Sequence, residues 1–90
     1  MGGEPLCEEN AFLTRLVIQE VKKRVPGAKI YIWSGYTYEE LTSHSNPHIL
    51  DCLRLADVLI DGPYIEEERD ITLPMRGSRN QRVIDLTKKN

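Results

Sequence analysis

Three short segments of the chain combine glycine with side chains that could bind a charged or polar ligand. They are Gly2-Gly3-Glu4, Ser34-Gly35-Tyr36 and Asp61-Gly62. Glycine lets the backbone come close to a ligand, and a carboxylate such as that of Glu4 or Asp61 accepts strong hydrogen bonds from an ammonium group. Any one of these segments alone is more typical of a solvated loop. Their chemistry therefore depends on whether the fold brings them together.

The first element that could position them is a helix. Apolar residues at helical spacing predict it over 10–24, with Asn10 as its cap and Val25-Pro26-Gly27 as its end. The basic residues 22–24 fall in the last turn, where they offset the helix dipole. A glycine-rich turn, a helix and then a strand are the order expected of an α/β protein.

The predicted strands are short and rich in β-branched and aromatic residues. Segments 29–34 and 57–61 predict strands that are buried on both faces, as in a parallel sheet. Tyr31 and Trp33 would then pack in the core rather than stack on a ligand. A third strand is predicted over 82–86.

Helix-start signals lie between the first two strands. Thr37 and Glu40 are spaced as a capping box, and Asn46-Pro47 supplies a cap followed by the proline that favours a first helical position. The alternation predicts an α/β fold in one domain over 1–90, with right-handed crossovers joining parallel strands. Ligands of such sheets bind at the carboxyl ends of the strands, where all three glycine-containing segments are predicted to lie.

Composition excludes several classes of function. The 90 residues include 12 Lys and Arg against 14 Asp and Glu, for a net charge of −2, which argues against a nucleic-acid binder. No window approaches the roughly 18–20 consecutive apolar residues that span a bilayer, and no basic-then-apolar leader is visible. A cytoplasmic protein without a membrane partner is therefore predicted. The 2 cysteines are too few for a disulfide-rich secreted domain or a metal cluster.

Longer motifs give a more specific prediction. In chain order they are Gly-Gly-Glu-Pro-Leu from residue 2, Ile-Tyr-Ile-Trp-Ser-Gly-Tyr-Thr-Tyr-Glu-Glu-Leu from residue 30, Asp-Val-Leu-Ile-Asp-Gly-Pro-Tyr from residue 57 and Leu-Pro-Met-Arg-Gly-Ser-Arg-Asn-Gln-Arg from residue 73. Together they resemble the activating proteins of anaerobic ribonucleoside-triphosphate reductases, which are small radical S-adenosylmethionine (SAM) enzymes. The resemblance runs from residue 2 to residue 86, which is almost the whole chain.

The resemblance implies a fold, a partial (β/α) barrel, and an activity, that of an oxidoreductase. The chain would be the C-terminal part of a partial (β/α) barrel, with about three mostly parallel strands and two or three helices. In the family a [4Fe-4S] cluster is held by a Cys-x3-Cys-x2-Cys loop, and SAM binds its open iron. An electron from a donor such as flavodoxin leads to cleavage of SAM to a 5′-deoxyadenosyl radical. That radical removes a hydrogen atom from a glycine of the partner, the glycyl radical subunit of the reductase.

The resemblance also implies roles for the glycine-containing segments. The candidates for binding the cofactor SAM are Gly2, Gly3, Glu4, Ser34, Gly35, Tyr36, Asp61 and Gly62. The first three match the motif that holds the ammonium group of SAM, and Glu4 is the leading candidate. The next three end the strand that presents groups to the SAM nucleoside, and the last two end the strand after it.

The chain departs from the family where the cluster should be bound. The family's three cysteines would precede Glu4, whereas Cys7 and Cys52 differ from them in number and spacing and are predicted to be small apolar core residues. Arg79 also stands where the family usually has serine. We therefore expect that the isolated chain cannot generate the radical. We further expect the strand at 29–34 to lack a neighbour and to self-associate through its exposed edge.

A second interpretation is a non-catalytic α/β module that binds a nucleotide-like ligand or docks on a protein partner. His44 and His48 are interpreted as solvated loop residues, because Asn46-Pro47 interrupts any helix that would align them on a metal. Segment 66–68 is predicted to be a solvated acidic face. Segment 76–82 is equally compatible with a polar loop and with a contact to SAM or the reductase.

Overall fold

The computed structural model describes residues 4–43 and 46–87, which form three α-helices and a three-stranded sheet. In chain order the elements are α1 Ala11–Arg24, β1 Tyr31–Trp33, α2 Tyr38–Thr42, α3 Pro47–Leu55, β2 Val58–Asp61, a 3-10 turn Glu66–Glu68 and β3 Arg82–Asp85. The predicted α/β class is confirmed. No helix within the described ranges is long and apolar enough to cross a membrane.

Helix α1 begins and ends at the predicted signals, but the side chain of its cap residue, Asn10, does not bond to the first turn of the helix. Asn10 occupies the cap position without accepting a hydrogen bond from the first turn, and its side-chain amide instead donates to the Glu4 carbonyl at 2.9 Å. The basic residues 22–24 lie in the last turn. Gly27 then adopts a φ of 95°, a left-handed conformation that glycine reaches without strain, and turns the chain toward β1.

The two shorter helices begin as their sequence signals predicted. Thr37 Oγ1 accepts from the Glu40 amide at 3.1 Å, and Glu40 Oε1 accepts from the Thr37 amide at 2.8 Å, which completes the capping box of α2. The side chain of Asn46 accepts from the His48 amide at 2.8 Å, and Pro47 is the first residue of α3. These local bonds satisfy amides that a helix start would leave without partners.

The sheet has the order β1-β2-β3 and is mixed rather than mostly parallel. Strands β1 and β2 are parallel, with Ile32 opposite Leu59, and the crossover between them contains α2 and α3. Strand β3 is antiparallel to β2, with Leu59 also opposite Ile84. The chain leaves β2 at Asp61 and re-enters at Arg82 directly beside it. A parallel β3 would have required a second crossover along the sheet, and the 62–81 connection has only a 3-10 turn.

The prediction that β1 is buried on both faces is wrong. Ile32 is buried, but the alternating side chain of Trp33 is 51% exposed, and Tyr31 is half-buried. The Trp33 indole donates to the Met75 carbonyl at 2.7 Å and stacks on the Tyr31 ring. Strand β1 forms one edge of the sheet, and the described helices cover one of its faces. The described strands form an open sheet, and the partial barrel stays a prediction.

The core joins α1, α3 and the inner face of the sheet. Its buried residues are Leu6, Ala11, Ile18, Ile32, Leu41, Ile49, Cys52, Leu53, Ala56 and Leu59. Complete burial of a leucine or isoleucine side chain contributes about 1.5–3 kcal/mol relative to exposure. This core therefore holds the carboxyl ends of β1 and β2 in a fixed position, with the loops that follow them on one edge of the sheet.

Candidate functional site

The Glu4 carboxylate lies at the carboxyl end of β1 and is held by three hydrogen bonds. Its Oε2 accepts from the Ser34 hydroxyl at 2.6 Å and from the Leu6 amide at 3.0 Å, and its Oε1 accepts from the Gly35 amide at 2.7 Å. Ser34 is buried, whereas Gly35 is exposed. The structure thus brings Glu4 next to Ser34 and Gly35. Gly2 and Gly3 lie outside the described residues.

The loop after β1 is also tied to the end of β2. The Ser34 amide donates to the Ile60 carbonyl at 2.9 Å, and the Gly62 amide donates to the Tyr36 carbonyl at 3.0 Å. Gly62 has a φ of 100°, which any other residue would adopt only with strain. The Tyr36 side chain is exposed beside this loop. Glu4, Ser34, Gly35 and Gly62 consequently form one continuous hydrogen-bonded network at the predicted edge of the sheet.

Asp61 has protein partners on both carboxylate oxygens. It is 1% exposed, accepts from the amide of Tyr38, the first residue of α2, at 2.7 Å, and is paired with the Arg82 guanidinium. Arg82 also donates to Glu39 at 2.7 Å. The hydrogen bonds to Asp61 and then to Glu39 raise the pKa of Arg82, and the hydrogen bond from Arg82 lowers the pKa of Glu39. Asp61 therefore joins β2, β3 and α2, and its binding of SAM stays a prediction.

Three polar side chains of segment 76–82, those of Asn80, Gln81 and Arg82, bind the residues at the end of β2 and just after it. The Gln81 side chain accepts from the amides of Gly77 at 2.9 Å and Ser78 at 3.1 Å, and it donates to the Gly62 carbonyl at 2.9 Å. Asn80 donates to the Pro63 carbonyl at 2.7 Å. The polar-loop interpretation accounts for these residues, whereas the side chain of Arg79 is exposed.

Sequence reasoning missed two of these contacts. The bridge from Arg82 to Asp61 and Glu39 had a usable signal, because a buried carboxylate at a strand end requires a cationic or amide partner. The role of Gln81 had no such signal, since its three partners are backbone groups whose positions depend on the path of the loop.

His48 packs against α1. His48 lies in the first turn of α3 rather than in a solvated loop, because Pro47 begins the helix. It accepts from Arg15 at 3.2 Å and meets the edge of the Phe12 ring. His44 lies outside the described residues. Of the acidic segment 66–68, the first two glutamates are exposed and the third is half-buried.

An apolar groove lies beside this polar network, between α1 and β1. Its volume is about 620 Å³, and its lining includes Leu13, Val17, Val21, Tyr31 and Trp33. All of these side chains except that of Tyr31 are at least one-third exposed. Among the described residues no strand pairs with the free edge of β1. The hydrogen-bonded network at Glu4 and this apolar groove are therefore two distinct features of the described surface.

Comparison with known proteins gives one consistent set of matches. A family model described as a 4Fe-4S single cluster domain matches residues 1–84. The anaerobic ribonucleoside-triphosphate reductase-activating protein of Haemophilus influenzae is 39% identical over 80 residues, which is 89% of this chain and 49% of that protein. The protein of the same name from Escherichia coli K12 is 34% identical over 94% of this chain and 53% of its own length. That from Enterobacteria phage T4 is 35% identical over 91% of this chain and 48% of its own length. The chain spans about half the length of these curated relatives, and no solved structure gives a significant match.

The residues of this chain do not fit the cluster that the family description implies. The sequence contains 2 cysteines, and no group of three or more His, Cys, Asp or Glu side chains in the described ranges could hold a metal ion. Cys52 is fully buried, its thiol donates to the Ala11 carbonyl, and burial raises its pKa to about 11. Cys7 is half-buried, and both thiols are free. The prediction that Cys52 is a small core residue is confirmed.

Proposed function

We propose that this chain, which belongs to the 4Fe-4S single cluster domain family, is the C-terminal part of an activating protein of anaerobic ribonucleoside-triphosphate reductase. Its similarity to proteins of that name, which its motifs predicted, supports the proposal. The activity would be that of a radical SAM oxidoreductase that places a glycyl radical on the reductase. The partners would be the glycyl radical subunit and an electron donor such as flavodoxin. The observation that carries the proposal is the Glu4 carboxylate, held at the carboxyl end of β1.

The residues at this edge fit the amino-acid part of SAM. Glu4 presents a carboxylate whose orientation is determined by Ser34, Gly35 and Leu6, and an oriented carboxylate binds an ammonium group through charge-assisted hydrogen bonds. Preorganisation lowers the entropy that the site loses on binding. When bound beside a [4Fe-4S] cluster that donates one electron, SAM would supply the radical chemistry that leads to a glycyl radical. The described residues would bind and orient it.

Titration calorimetry with SAM tests this proposal. We expect the wild-type chain to bind SAM and Glu4→Gln to bind at least about tenfold more weakly, because the variant removes the charge that pairs with the ammonium group. Glu9→Gln is the matched control, since Glu9 is exposed in the same segment and has no part in the network. Equal affinity for the wild type and Glu4→Gln would contradict the assignment of Glu4. Absence of SAM binding to the wild type would contradict the proposed function.

We also propose that these 90 residues do not form the radical on their own. The residues supply 2 free cysteines, fewer than the three that the family's cluster loop uses, and one of the two is fully buried. Formation of 5′-deoxyadenosine after reconstitution with iron and sulfide would contradict this statement. A second candidate function, a non-catalytic module, is favoured by the same shortage of cluster ligands and by the apolar groove.

We expect the chain to self-associate through β1 and the adjoining groove. The edge of β1, which has no partner strand within 4–43 and 46–87, and the exposed side chains of α1 form an apolar surface that a second copy would cover. Val17 is 61% exposed and lines the groove, so Val17→Glu should shift the chain toward monomer with little effect on folding. Gln19→Glu places the same charge on the polar side of α1 as a control. Sedimentation velocity of a wild-type chain that stays monomeric at high micromolar concentration would contradict the prediction.

A further inference from the structure

The connection between β2 and β3 contains a strap, residues 70–77, whose two ends are fastened to each other. Arg69 and Ser78, which flank the strap, form an isolated antiparallel β-bridge. The Asp70 amide donates to the Gly77 carbonyl at 3.1 Å, and Ser78 is fully buried. The base of the strap is therefore held together independently of its middle.

The middle of the strap is held to the sheet by an exposed hydrogen bond. The Trp33 indole N–H donates to the Met75 carbonyl at 2.7 Å, and the two residues are 51% and 47% exposed. Water competes for a donor and an acceptor at such a position, so the net stabilisation from this bond is small. Ile71, also in the strap, is 84% exposed and does not anchor it in the core.

Two features of the strap oppose this bond. Met75 has a φ of 66°, a left-handed conformation that a residue with a Cβ atom adopts only at a cost. The Nε atom of Arg76 is buried and has no hydrogen-bond partner among the described residues, which leaves a desolvated donor without compensation. Release of the Met75 carbonyl from Trp33 would let the Met75 backbone relax and the Arg76 guanidinium reach water.

We propose that the strap is a conformational latch that opens and closes on Trp33. In the closed state the indole holds the Met75 carbonyl, and in the open state residues 71–76 leave the indole while the base at Arg69 and Ser78 stays formed. The cost of the left-handed Met75 conformation offsets the exposed hydrogen bond, so both states are populated in the free chain.

Trp33 connects this latch to the apolar groove. Its ring lines the groove and stacks on Tyr31, while its indole N–H is bound to the strap. Opening of the strap therefore frees the ring to turn within the groove. The latch acts without SAM and is independent of the proposed function.

Exchange of the Trp33 indole proton with solvent tests the latch directly, because the sequence contains one tryptophan and ¹H–¹⁵N spectra of the full chain show one indole signal. Met75→Gly keeps the carbonyl and removes the cost of the left-handed conformation, so it should slow this exchange about fivefold. Met75→Ala is the matched control. It loses the same side chain but keeps a Cβ atom, and its exchange should equal that of the wild type.

A second variant removes the other partner of the bond. Trp33→Phe keeps an aromatic ring without the indole donor. It should speed exchange of the Leu73 amide, which donates to the Asp70 carbonyl within the strap, at least about threefold. Tyr31→Phe is the control, because it keeps the ring that stacks on the indole and leaves the indole donor in place.

The Arg79 amide distinguishes opening of the strap from unfolding of the whole chain. It donates to the Glu68 carbonyl at 2.9 Å at the base of the strap, and it should exchange at the wild-type rate in every variant. Equal indole exchange in Met75→Gly and Met75→Ala would overturn the inference. Equal acceleration of the Leu73 and Arg79 amides in Trp33→Phe would also overturn it. Slower indole exchange in Met75→Gly than in Met75→Ala would support it even if Trp33→Phe fails to fold.

Discussion

Asp61→Ala is expected to lower the free energy of unfolding by about 3 kcal/mol, since it removes a buried carboxylate that accepts charge-assisted hydrogen bonds from the Tyr38 amide and from the half-exposed Arg82 guanidinium. Asp61 is 1% exposed and is bound by the Arg82 guanidinium and the Tyr38 amide. The variant would leave that amide at the start of α2 without its partner. A small domain has about 5–15 kcal/mol of stability, so the loss is a large part of the total.

Urea denaturation followed by circular dichroism measures this change. Glu39→Gln is the matched control, because Glu39 contacts the same guanidinium from an exposed position. The control should leave the denaturation midpoint nearly unchanged, as expected for a surface ion pair. Asp61→Asn should fall between the two variants, since it keeps a hydrogen-bond acceptor for Tyr38 but loses the charge. Equal midpoints for Asp61→Ala and Glu39→Gln would show that the buried Asp61 carboxylate does not stabilise the fold.

Gln81→Ala is expected to cost about 2 kcal/mol and to loosen the 62–81 loop, because three backbone groups lose their hydrogen-bond partner. The groups are the amides of Gly77 and Ser78 and the carbonyl of Gly62. Of these residues, Ser78 and Gly62 are buried, so water cannot readily replace the lost side chain. The end of β2 and the loop that contains segment 76–82 would then no longer be held together.

Limited proteolysis with thermolysin, combined with urea denaturation, tests this second prediction. Arg79→Ala is the control, since the Arg79 side chain is exposed in the same loop. Gln81→Glu should be intermediate, because it keeps the acceptor for Gly77 and Ser78 and loses the donor to Gly62. Cleavage within 62–81 should be faster in Gln81→Ala than in the control. Unchanged cleavage would mean that other contacts, such as that between Asn80 and Pro63, hold the loop by themselves.

The elements that were predicted correctly depend on interactions between near neighbours in the sequence. The capping box of Thr37 and Glu40 and the cap and proline of Asn46-Pro47 each join residues no more than three positions apart. Sequence patterns report such contacts directly, since no tertiary structure is needed to bring the groups together. The clustering of Ser34 and Gly62 was also predictable, because the carboxyl ends of parallel strands lie at the same edge of a sheet.

The wrong predictions concern contacts that depend on the path of the whole chain. Segment 82–86 was correctly predicted to contain a strand, but its antiparallel direction followed from the 62–81 loop, which returns the chain to the end of the sheet that it had left. Trp33 has the apolar character of a core residue, yet β1 is the edge strand and its outer face is partly open among the described residues. Hydrophobic pattern shows that a side chain is apolar, and the neighbouring layers decide whether it is covered.

By itself, the sequence determined the α/β class, the starts of the helices and the end of the first, the family and Glu4 as the leading ligand-binding candidate, because these depend on local spacing and on contiguous motifs. The tertiary structure alone decided the mixed sheet, the pairing of Asp61 with Arg82 and the three donors that hold the Glu4 carboxylate. Glu4 and Gly35 are 31 positions apart along the chain. Such a contact forms only when the hydrophobic core aligns the ends of the strands, so no short sequence pattern can encode it.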